Sequence, residues 1–160
     1  MKRLPEKIYT EVVKNTPLIS IDLIIEDTMG NILLGYRLNN PAKHTWFVPG
    51  GIIRKNETFV EAFQRIAIAE LGFSINLTEA TYVGLYEHLY STNFADTDDF
   101  GTHYIVNAFH IKIKQKNTAL PKAQHSEYWW ASKEELVAHK NIHTNTKNYF
   151  NGHAPFSNYQ

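Results

Sequence analysis

Apolar and polar residues alternate along residues 18–26, and this period of two predicts a β-strand. One face of the strand is expected to carry Ile19, Ile21, Leu23 and Ile25, and the other Ser20, Asp22 and Glu26. Residues 27–31 are typical of a turn, and the apolar residues 32–34 then resume a strand that ends near residue 37. The two segments together predict a β-hairpin.

The apolar pattern changes to a helical one in residues 58–71. Apolar side chains recur there at intervals of three and four residues, at Phe59, Phe63, Ile66 and Ala67. Gly72 follows the last periodic residue and is a typical C-terminal stop of a helix. Before the helix, the aromatic segment 46–48 predicts a short strand that ends at the Pro-Gly-Gly sequence of residues 49–51.

The second half of the chain adds longer strands and a short helix. The predicted segments are a strand at 82–90, a polar loop at 91–101, a strand at 103–112, a loop at 121–126 and a strand at 128–130. Ser132 and Glu135 form a capping-box pattern that starts the helix. Because strands and helices interleave, we predict an α/β (α+β) fold with a mixed β-sheet sandwiched between helices. We expect a single domain at residues 1–150 and a polar tail at 151–160.

Composition and charge limit the classes of partner. The chain has 160 residues, enough for one domain, and its 16 Lys and Arg residues balance its 16 Asp and Glu residues. Without net charge we expect neither nucleic acid nor a membrane as a partner, so that any phosphate must be bound locally. Cysteine is absent, and no apolar run is long enough for a signal core or a membrane span. We therefore expect a cytoplasmic protein.

One segment carries a recognisable set of chemical groups. Gly51 is followed after five residues by Glu57, after seven more by Arg65, and then by Glu70 and Gly72. This spacing resembles the Nudix box, G-x5-E-x7-R-E-U-x-E-E-x-G-U, in which U is a bulky apolar residue. The resemblance implies the Nudix fold and a hydrolase that uses Mg²⁺. Since Glu57 and Arg65 are about two helical turns apart, we interpret them as a structural ion pair.

The box lacks part of its carboxylate set. Ile66 stands where a Glu should follow the Arg, and Ala69 replaces the first of two adjacent glutamates. Positions 66, 69 and 70 share one helix face, so only Glu70 offers a carboxylate there. One carboxylate is too few for a cluster of metal ions, but it suits a single Mg²⁺ that is also bound by a carbonyl, another side chain and the substrate's phosphates. The alternative is that Glu70 is a surface residue near the end of the helix.

Further motifs are scattered outside the box. They are Thr16-Pro17-Leu18, Asp22, Gly35-x-Arg37, Trp46-Phe47-Val48-Pro49-Gly50-Gly51, Thr102-His103-Tyr104, Leu120-Pro121 and Gln124-His125. With the variant box, they resemble the GDP-mannose mannosyl hydrolase branch of the Nudix family, in the same order and over roughly residues 4–150. The resemblance implies hydrolysis of GDP-mannose, or GDP-glucose, to GDP and a free hexose. Water would attack the anomeric carbon with inversion.

The resemblance also implies a role for each matching residue. One Mg²⁺ per subunit would be held by the Gly50 carbonyl, Glu70 and Gln124, and His125 would be the general base that activates water. The other expected site residues are Arg37 at the diphosphate, Asp22, His88 and Tyr104 around the sugar and leaving group, and Arg3, Leu4 and Tyr9 around the guanine. The branch further implies a homodimer.

Several of these residues also have a plainer interpretation. A histidine suits a general base near neutral pH, but the chain has eight His, and His125 is also compatible with a solvent-exposed loop. Asp22 and His88 are compatible with purely structural roles in strands. The acidic residues of segment 96–99 are better explained as a solvated loop tip than as a second metal site, because they lack the spacing of a calcium loop.

One position departs from the branch. The branch usually has an Arg directly after the Gly-Gly pair, where that Arg assists the departing diphosphate, and here the residue is Ile52. In an extended loop, residues 52 and 54 point the same way. We therefore assign Arg54 as the candidate leaving-group cation.

Two other functions compete with this hypothesis. A Nudix pyrophosphohydrolase would attack phosphorus and release a nucleoside monophosphate and a sugar phosphate, and the two missing carboxylates count against it. A catalytically weak nucleotide-sugar binding domain would explain Ile52 and the reduced carboxylate set. Glu70 and the Gln124-His125 pair count against that second alternative.

Overall fold

The computed structural model describes residues 4–114, 120–121 and 125–151. Its helices are α1 (Glu6–Asn15), α2 (Phe59–Leu71), α3 (Lys133–Ala138) and α4 (Thr144–Asn148). Its strands are β1 (Leu18–Glu26), β2 (Ile32–Arg37), β3 (Trp46–Phe47), β4 (Gly50–Ile52), β5 (Thr81–Tyr90), β6 (Thr102–Lys112) and β7 (His125–Ala131). The bounds of β1 and the extent of α2 confirm the two strongest patterns in the sequence.

The strands form one mixed sheet of seven strands. Its central order is β3-β2-β1-β6-β5, with β4 paired to β1 and β7 paired to β2. β1 runs parallel to β6 along its whole length, and the other pairs are antiparallel. On its other edge β1 changes partner, because residues 20–22 pair with β4 whereas Glu26 pairs with β2. Asp22 therefore lies at the centre of the sheet, next to the point where strands diverge.

Helices and their connections cover both faces of this sheet. One core lies under α2 and contains the fully buried Phe63 and Leu23. The other core contains Ile24 of β1, Leu136 of α3 and Ile142. Because successive residues of a strand point to opposite faces, the two cores lie on opposite sides of β1. This arrangement confirms the predicted sandwich.

The predicted helix ends are also confirmed. Thr58 caps the N-terminus of α2 in a capping box with Glu61, and Gly72 ends the helix with a left-handed φ of 78°. Ser132 and Glu135 form the same type of box at the start of α3. These ends are fixed by hydrogen bonds within four residues, which is why the sequence alone identified them.

The alternation of side chains between the two faces of β1 is confirmed, but the polar residues are not the exposed ones. Ser20 and Asp22 on the polar face are only 5% and 7% exposed, whereas Ile19 on the apolar face is 54% exposed. β1 is central, so both of its faces are covered over most of its length. Ile19 lies near the start of the strand, outside the core under α2.

Other segments differ from the prediction. β3 ends at Phe47, and residues 50 and 51, expected to stop it, already belong to β4. Residues 125–126, expected in a loop, begin β7. Helices α1 and α4 carried no clear pattern in the sequence. They are held by tertiary packing, with Val13 and Thr146 buried against the rest of the fold. None of the described helices has the length and apolar character that a membrane-spanning helix needs.

Candidate active site

The first residue of β4 lies directly opposite Asp22 in the ladder between β1 and β4. This residue is Gly50, and the structure leaves no room for a side chain there. A Cβ there would lie 2.5 Å from Asp22 Oδ1 and 2.7 Å from the carbonyl oxygen of Ile21. Glycine therefore permits the close approach that brings the predicted metal ligand and the predicted sugar-binding carboxylate together.

The carbonyl of Gly50 is directed away from β1. The flanking ladder bonds run from Leu23 N to Pro49 O and from Ile53 N to Ile19 O. In an antiparallel ladder, residues that bond to the partner strand alternate with residues that do not. By this alternation Gly50 is a non-bonded residue, so its carbonyl oxygen is available to a ligand on the side away from β1.

An ion pair connects the loop after β4 to helix α2. Arg65 Nε and Nη2 donate to the two Glu57 carboxylate oxygens at 2.5 and 2.7 Å, and Nη2 also donates to the Ile52 carbonyl at 2.8 Å. The hydrogen bonds from Arg65 lower the pKa of Glu57 to about 2. The predicted structural ion pair is thus confirmed, and it fixes β4 relative to α2.

Glu70 lies in the last turn of α2 and is only 2% exposed. The alternative that it is a surface residue is therefore wrong. Its negative charge contributes to a raised pKa at Asp22, so the two carboxyl groups share one electrostatic environment. Tyr128 Oη donates to the Pro121 carbonyl at 2.6 Å and lies 3.3 Å from the Glu70 carbonyl. Two buried carboxyl groups that interact electrostatically mark this region as a candidate functional site.

The two positions at which the box departs from its pattern do not contribute ligands. Ile66 is 1% exposed and packs beneath β4, where a Cβ on Gly51 would lie 3.2 Å from Ile66 Cγ1. Ala69 is exposed, whereas the neighbouring Glu70 is buried.

Asp22 is the buried acid at the centre of the site. Burial raises its pKa to about 7. A hydrogen bond from Tyr149 Oη, 2.6 Å from Asp22 Oδ2, opposes this rise, as does the positive charge of Arg37. The side chain therefore responds to nearby charge close to neutral pH.

Arg37 is the positively charged side chain near Asp22. Its guanidinium carbon lies 6.0 Å from the centre of the Phe47 ring. Its Nε is buried and has no hydrogen-bond partner within the part of the chain that the structure describes. A buried donor left in this way is costly unless an acceptor binds it. Arg37 is thus prepared to receive an anionic group, as the diphosphate role requires.

His88 and Tyr104 are neighbours in the ladder between β5 and β6. His88 is 4% exposed, and burial lowers its pKa to about 3, so its ring is neutral at physiological pH. Its ring contacts those of Phe47 and Tyr149 at centroid distances of 5.9 and 6.0 Å. Burial also raises the pKa of Tyr104, which keeps its hydroxyl protonated. Both residues therefore present neutral groups beside Asp22 and Arg37.

The N-terminal residues are less closely connected to this cluster. The ring of Tyr9 in α1 packs at a tilt against Phe94, at a centroid distance of 4.8 Å, and Tyr9 contributes to the raised pKa of Tyr104. Leu4 is 52% exposed. Arg3 lies outside the described residues. Of the three residues expected at the guanine, Tyr9 is the one that the structure places near the site.

The predicted base and third metal ligand are only partly covered by the structure. Gln124 lies outside the described residues. The backbone of His125 begins β7, where it is the ladder partner of Arg37. The expectation that His125 lies in a loop is therefore wrong. Strand pairing places the backbone of His125 beside the backbone of Arg37.

Arg54 follows β4 in a loop. Its backbone N–H donates to Glu57 Oε2 at 2.9 Å, and its positive charge contributes to the low pKa of Glu57. Its role at the leaving group stays a prediction.

In the acidic loop, Asp99 pairs with Lys14 at 2.6 Å and Asp96 accepts a hydrogen bond from Asn40. Over the described ranges, no group of three or more His, Cys, Asp or Glu is arranged to hold a metal ion.

The C-terminal segment contributes residues that the sequence did not identify. Tyr149 follows α4 and reaches Asp22, and Asn145 Nδ2 donates to Tyr90 Oη at 3.1 Å. His143 contacts the rings of Phe47 and Tyr90. No spacing or motif in the sequence connects residues 143–149 with residue 22, and only the fold brings them together.

The donor groups present suit a single Mg²⁺. Glu70 provides a buried carboxylate and Gly50 a carbonyl oxygen that is not used by β1. Both donors are oxygen atoms, the ligand type that Mg²⁺ prefers, and this ion retains water or phosphate in its other positions. The described part of the site therefore offers two of the three expected ligands.

Comparison with known proteins agrees with this fold. The family model of the NUDIX domain matches residues 16–151. The low-salt glycan biosynthesis protein Agl8 of Haloferax volcanii is 39% identical over 125 residues, which cover 78% of this chain and 77% of that protein.

Two solved structures are similar at 20% identity and concern the fold alone. The MutT protein from Methanosarcina mazei Go1 aligns with a TM-score of 0.67, over 85% of this chain and 92% of that chain. The MutT NUDIX hydrolase from Burkholderia pseudomallei aligns with a TM-score of 0.68, over 84% of this chain and 96% of that chain.

Proposed function

The chain belongs to the NUDIX domain family, and from this premise we propose that it hydrolyses a nucleotide sugar, GDP-mannose or GDP-glucose, to GDP and a free hexose. The observation that carries the proposal is the buried Nε of Arg37, which has no hydrogen-bond partner among the described residues and lies near the buried acids Asp22 and Glu70. A diphosphate supplies the missing acceptors. A Mg²⁺ ion bound there would offset the negative charges that a diphosphate brings near the two carboxyl groups.

The substrate class is supported from two sides. The relative Agl8 is named a glycan biosynthesis protein, and nucleotide sugars are the donors from which glycans are built. Of the residues that the resemblance assigns to the sugar and leaving group, His88 and Tyr104 are ladder neighbours, and with Phe47 they form a partly aromatic wall. Such a wall suits a sugar ring, which presents hydroxyl groups and apolar C–H faces.

One Mg²⁺ per subunit would be held by the Gly50 carbonyl, Glu70 and Gln124. When bound, the ion neutralises charge on the departing diphosphate. Arg37 binds the same group, and Arg54 assists it. Arg3, Leu4 and Tyr9 seat the guanine in a homodimeric, cytoplasmic enzyme.

Attack at carbon is favoured over attack at phosphorus by the arrangement of α2. Ile66 is buried in the core and Ala69 is exposed, so neither position brings a second carboxylate to Glu70. The attacking water must then be activated by another group. His125 takes its proton, the water oxygen bonds to the anomeric carbon, and the carbon–oxygen bond to the diphosphate breaks with its electron pair.

Products and isotope labelling test the reaction. We expect Mg²⁺-dependent hydrolysis when GDP-, UDP- and ADP-sugars are screened, with a GDP-hexose as the best substrate. In ¹⁸O-labelled water the label should enter the free hexose. Label in a phosphate product would instead support the pyrophosphohydrolase. A lack of Mg²⁺-dependent hydrolysis of every nucleotide sugar would leave only the binding domain.

His125→Gln tests the base. A general base typically contributes about 10²- to 10⁴-fold, so kcat should fall by that order while GDP binding stays within about twofold of wild type. The control is His139→Gln, at an exposed histidine that follows α3, and it should retain full activity. Equal activity of the two variants would remove His125 from the mechanism.

A further inference from the structure

The hydroxyl of Tyr149 bridges two residues of the candidate site. It donates to Asp22 Oδ2 at 2.6 Å and lies 3.4 Å from His88 Nε2. Asp22 comes from β1, His88 from β5 and Tyr149 from the end of the C-terminal helix α4. A single phenol group thus connects two otherwise separate strands through their functional side chains.

The single hydroxyl hydrogen of Tyr149 defines which group donates in its contacts with Asp22 and His88. A phenol has one hydrogen, and here that hydrogen goes to Asp22. The oxygen of Tyr149 can then only accept from His88, which requires the hydrogen of the neutral imidazole to be on Nε2. The chain of donors therefore runs from His88 through Tyr149 to Asp22, and it leaves Nδ1 of His88 as an acceptor.

The two oxygens of Asp22 have different surroundings as a result. Oδ2 is occupied by Tyr149. Oδ1 lies at the edge of β4, where it would be 2.5 Å from a Cβ at position 50. The hydroxyl therefore fixes the rotation of the carboxyl group and directs Oδ1 toward the backbone of Gly50.

Tyr149 is itself held by several contacts of its own segment. His143 N donates to the Trp46 carbonyl at 3.1 Å, and Nδ1 of His143 accepts from Asn145 N at 3.1 Å. The Tyr149 ring packs edge-on against Tyr86 at a centroid distance of 4.7 Å. Anchors on β3 and β5 thus determine where the hydroxyl lies.

We propose that Tyr149 is a positioning residue of the active site, which orients the Asp22 carboxyl group toward Gly50 and fixes His88 as the Nε2–H tautomer. The inference rests on the proposed function, because Asp22 and His88 are assigned to the sugar and leaving group. Tyr149 itself acts through these two residues. It also makes the C-terminal segment 143–149 part of the catalytic unit.

The kinetic test compares Tyr149→Phe with Tyr86→Phe. Both variants remove one phenol hydroxyl and keep the two packed rings, but only the first removes the bond to Asp22. Loss of a hydrogen bond to a charged group predicts a fall in kcat of about 10- to 100-fold for Tyr149→Phe. Tyr86→Phe should stay within about twofold of wild type. The affinity of both variants for GDP with Mg²⁺, measured by calorimetry, should be unchanged.

The spectroscopic test is independent of activity. The ¹⁵N shifts of the His88 ring, assigned by comparison with His88→Gln, should show an Nε2–H tautomer in wild type and in Tyr86→Phe. In Tyr149→Phe they should move toward a mixture of tautomers, since Nε2–H has lost its acceptor. A His88 tautomer that does not change in Tyr149→Phe, or equal kinetic losses in the two variants, would overturn the proposal. If wild type hydrolyses no nucleotide sugar but the tautomer changes as expected, the proposed function fails and the positioning contact remains.

Discussion

Position 66 shows how one side chain changes what the box can do. Isoleucine there is buried and packs beneath Gly51, so it supports β4 where a glutamate would offer a ligand. A carboxylate at this position would be buried next to Glu70 and would need a metal ion to balance it. With isoleucine at position 66, no metal ion is needed to balance a charge there. Glu70 is then the single carboxylate that the helix brings to the site.

Arg54→Ala tests whether this residue replaces the arginine missing at position 52. If Arg54 assists the departing diphosphate, its loss should lower kcat by about 10- to 100-fold, the range for a hydrogen bond to a charged group. The positive charge of Arg54 contributes to the low pKa of Glu57, whose carboxylate is bound by Arg65 next to the end of β4. Steady-state kinetics with the best GDP-hexose is the measurement.

The matched control for this change is Lys55→Ala. Lys55 is the next residue and is exposed, so its removal changes the net charge by the same amount without altering the proposed contact. It should keep kcat/KM within about twofold of wild type, the range expected for a screened surface charge. An unchanged kcat/KM in Arg54→Ala would exclude Arg54 from the leaving-group site.

At the scale of elements, the parts that the sequence predicted are those whose signals are local. The ends of α2 depend on Thr58 and Gly72, and the start of α3 on Ser132, all within one helical turn of the element. β4 depends instead on pairing with β1, and α4 has only five residues. Such short segments have little stability of their own, so no pattern in the sequence predicts them.

Arg65→Lys tests the connection between β4 and α2. Lysine keeps the charge but cannot make the paired bonds to Glu57 and the additional bond to the Ile52 carbonyl. We expect the free energy of unfolding, measured with urea, to fall by about 1–2 kcal/mol. The affinity for Mg²⁺ should weaken as well, because β4 carries Gly50.

The control for this variant is Lys14→Met, which breaks an ion pair of similar length with Asp99. Both side chains of that pair are substantially exposed, at 32% and 56%. An exposed pair contributes little to stability, so urea unfolding and Mg²⁺ affinity should match wild type. If Arg65→Lys behaves like this control, the pair with Glu57 does not fix β4.

At the scale of the whole molecule, the site draws on both ends of the chain. The sequence identified Asp22, Arg37 and Glu70 through their motifs and His88 through the role that the resemblance implies, and the structure brings these four together. Tyr149 was not identified, since its contact with Asp22 joins residues 127 positions apart. Only the pairing of strands and the packing of the C-terminal segment create such a contact.

Asp22 and His88 should also affect how the stability of the molecule depends on pH. The folded protein raises the pKa of Asp22 from 3.8 to about 7, so between these values it binds a proton that the unfolded chain lacks, and stability falls as pH rises. It lowers the pKa of His88 from 6.5 to about 3, so the unfolded chain binds the extra proton and stability rises with pH. The two contributions oppose each other from about pH 4 to about pH 6.5.

Single substitutions should reveal the two opposing contributions. Asp22→Asn retains an acceptor for Tyr149 but no charge, so its free energy of unfolding relative to wild type should increase with pH, by up to about 1.4 kcal/mol per pH unit. His88→Gln should show the opposite slope of similar size. Urea unfolding at pH 4.5, 5.5 and 6.5 measures both, with Tyr86→Phe as a control that runs parallel to wild type. Two variants that also run parallel to wild type would mean that neither buried group changes its proton affinity on folding.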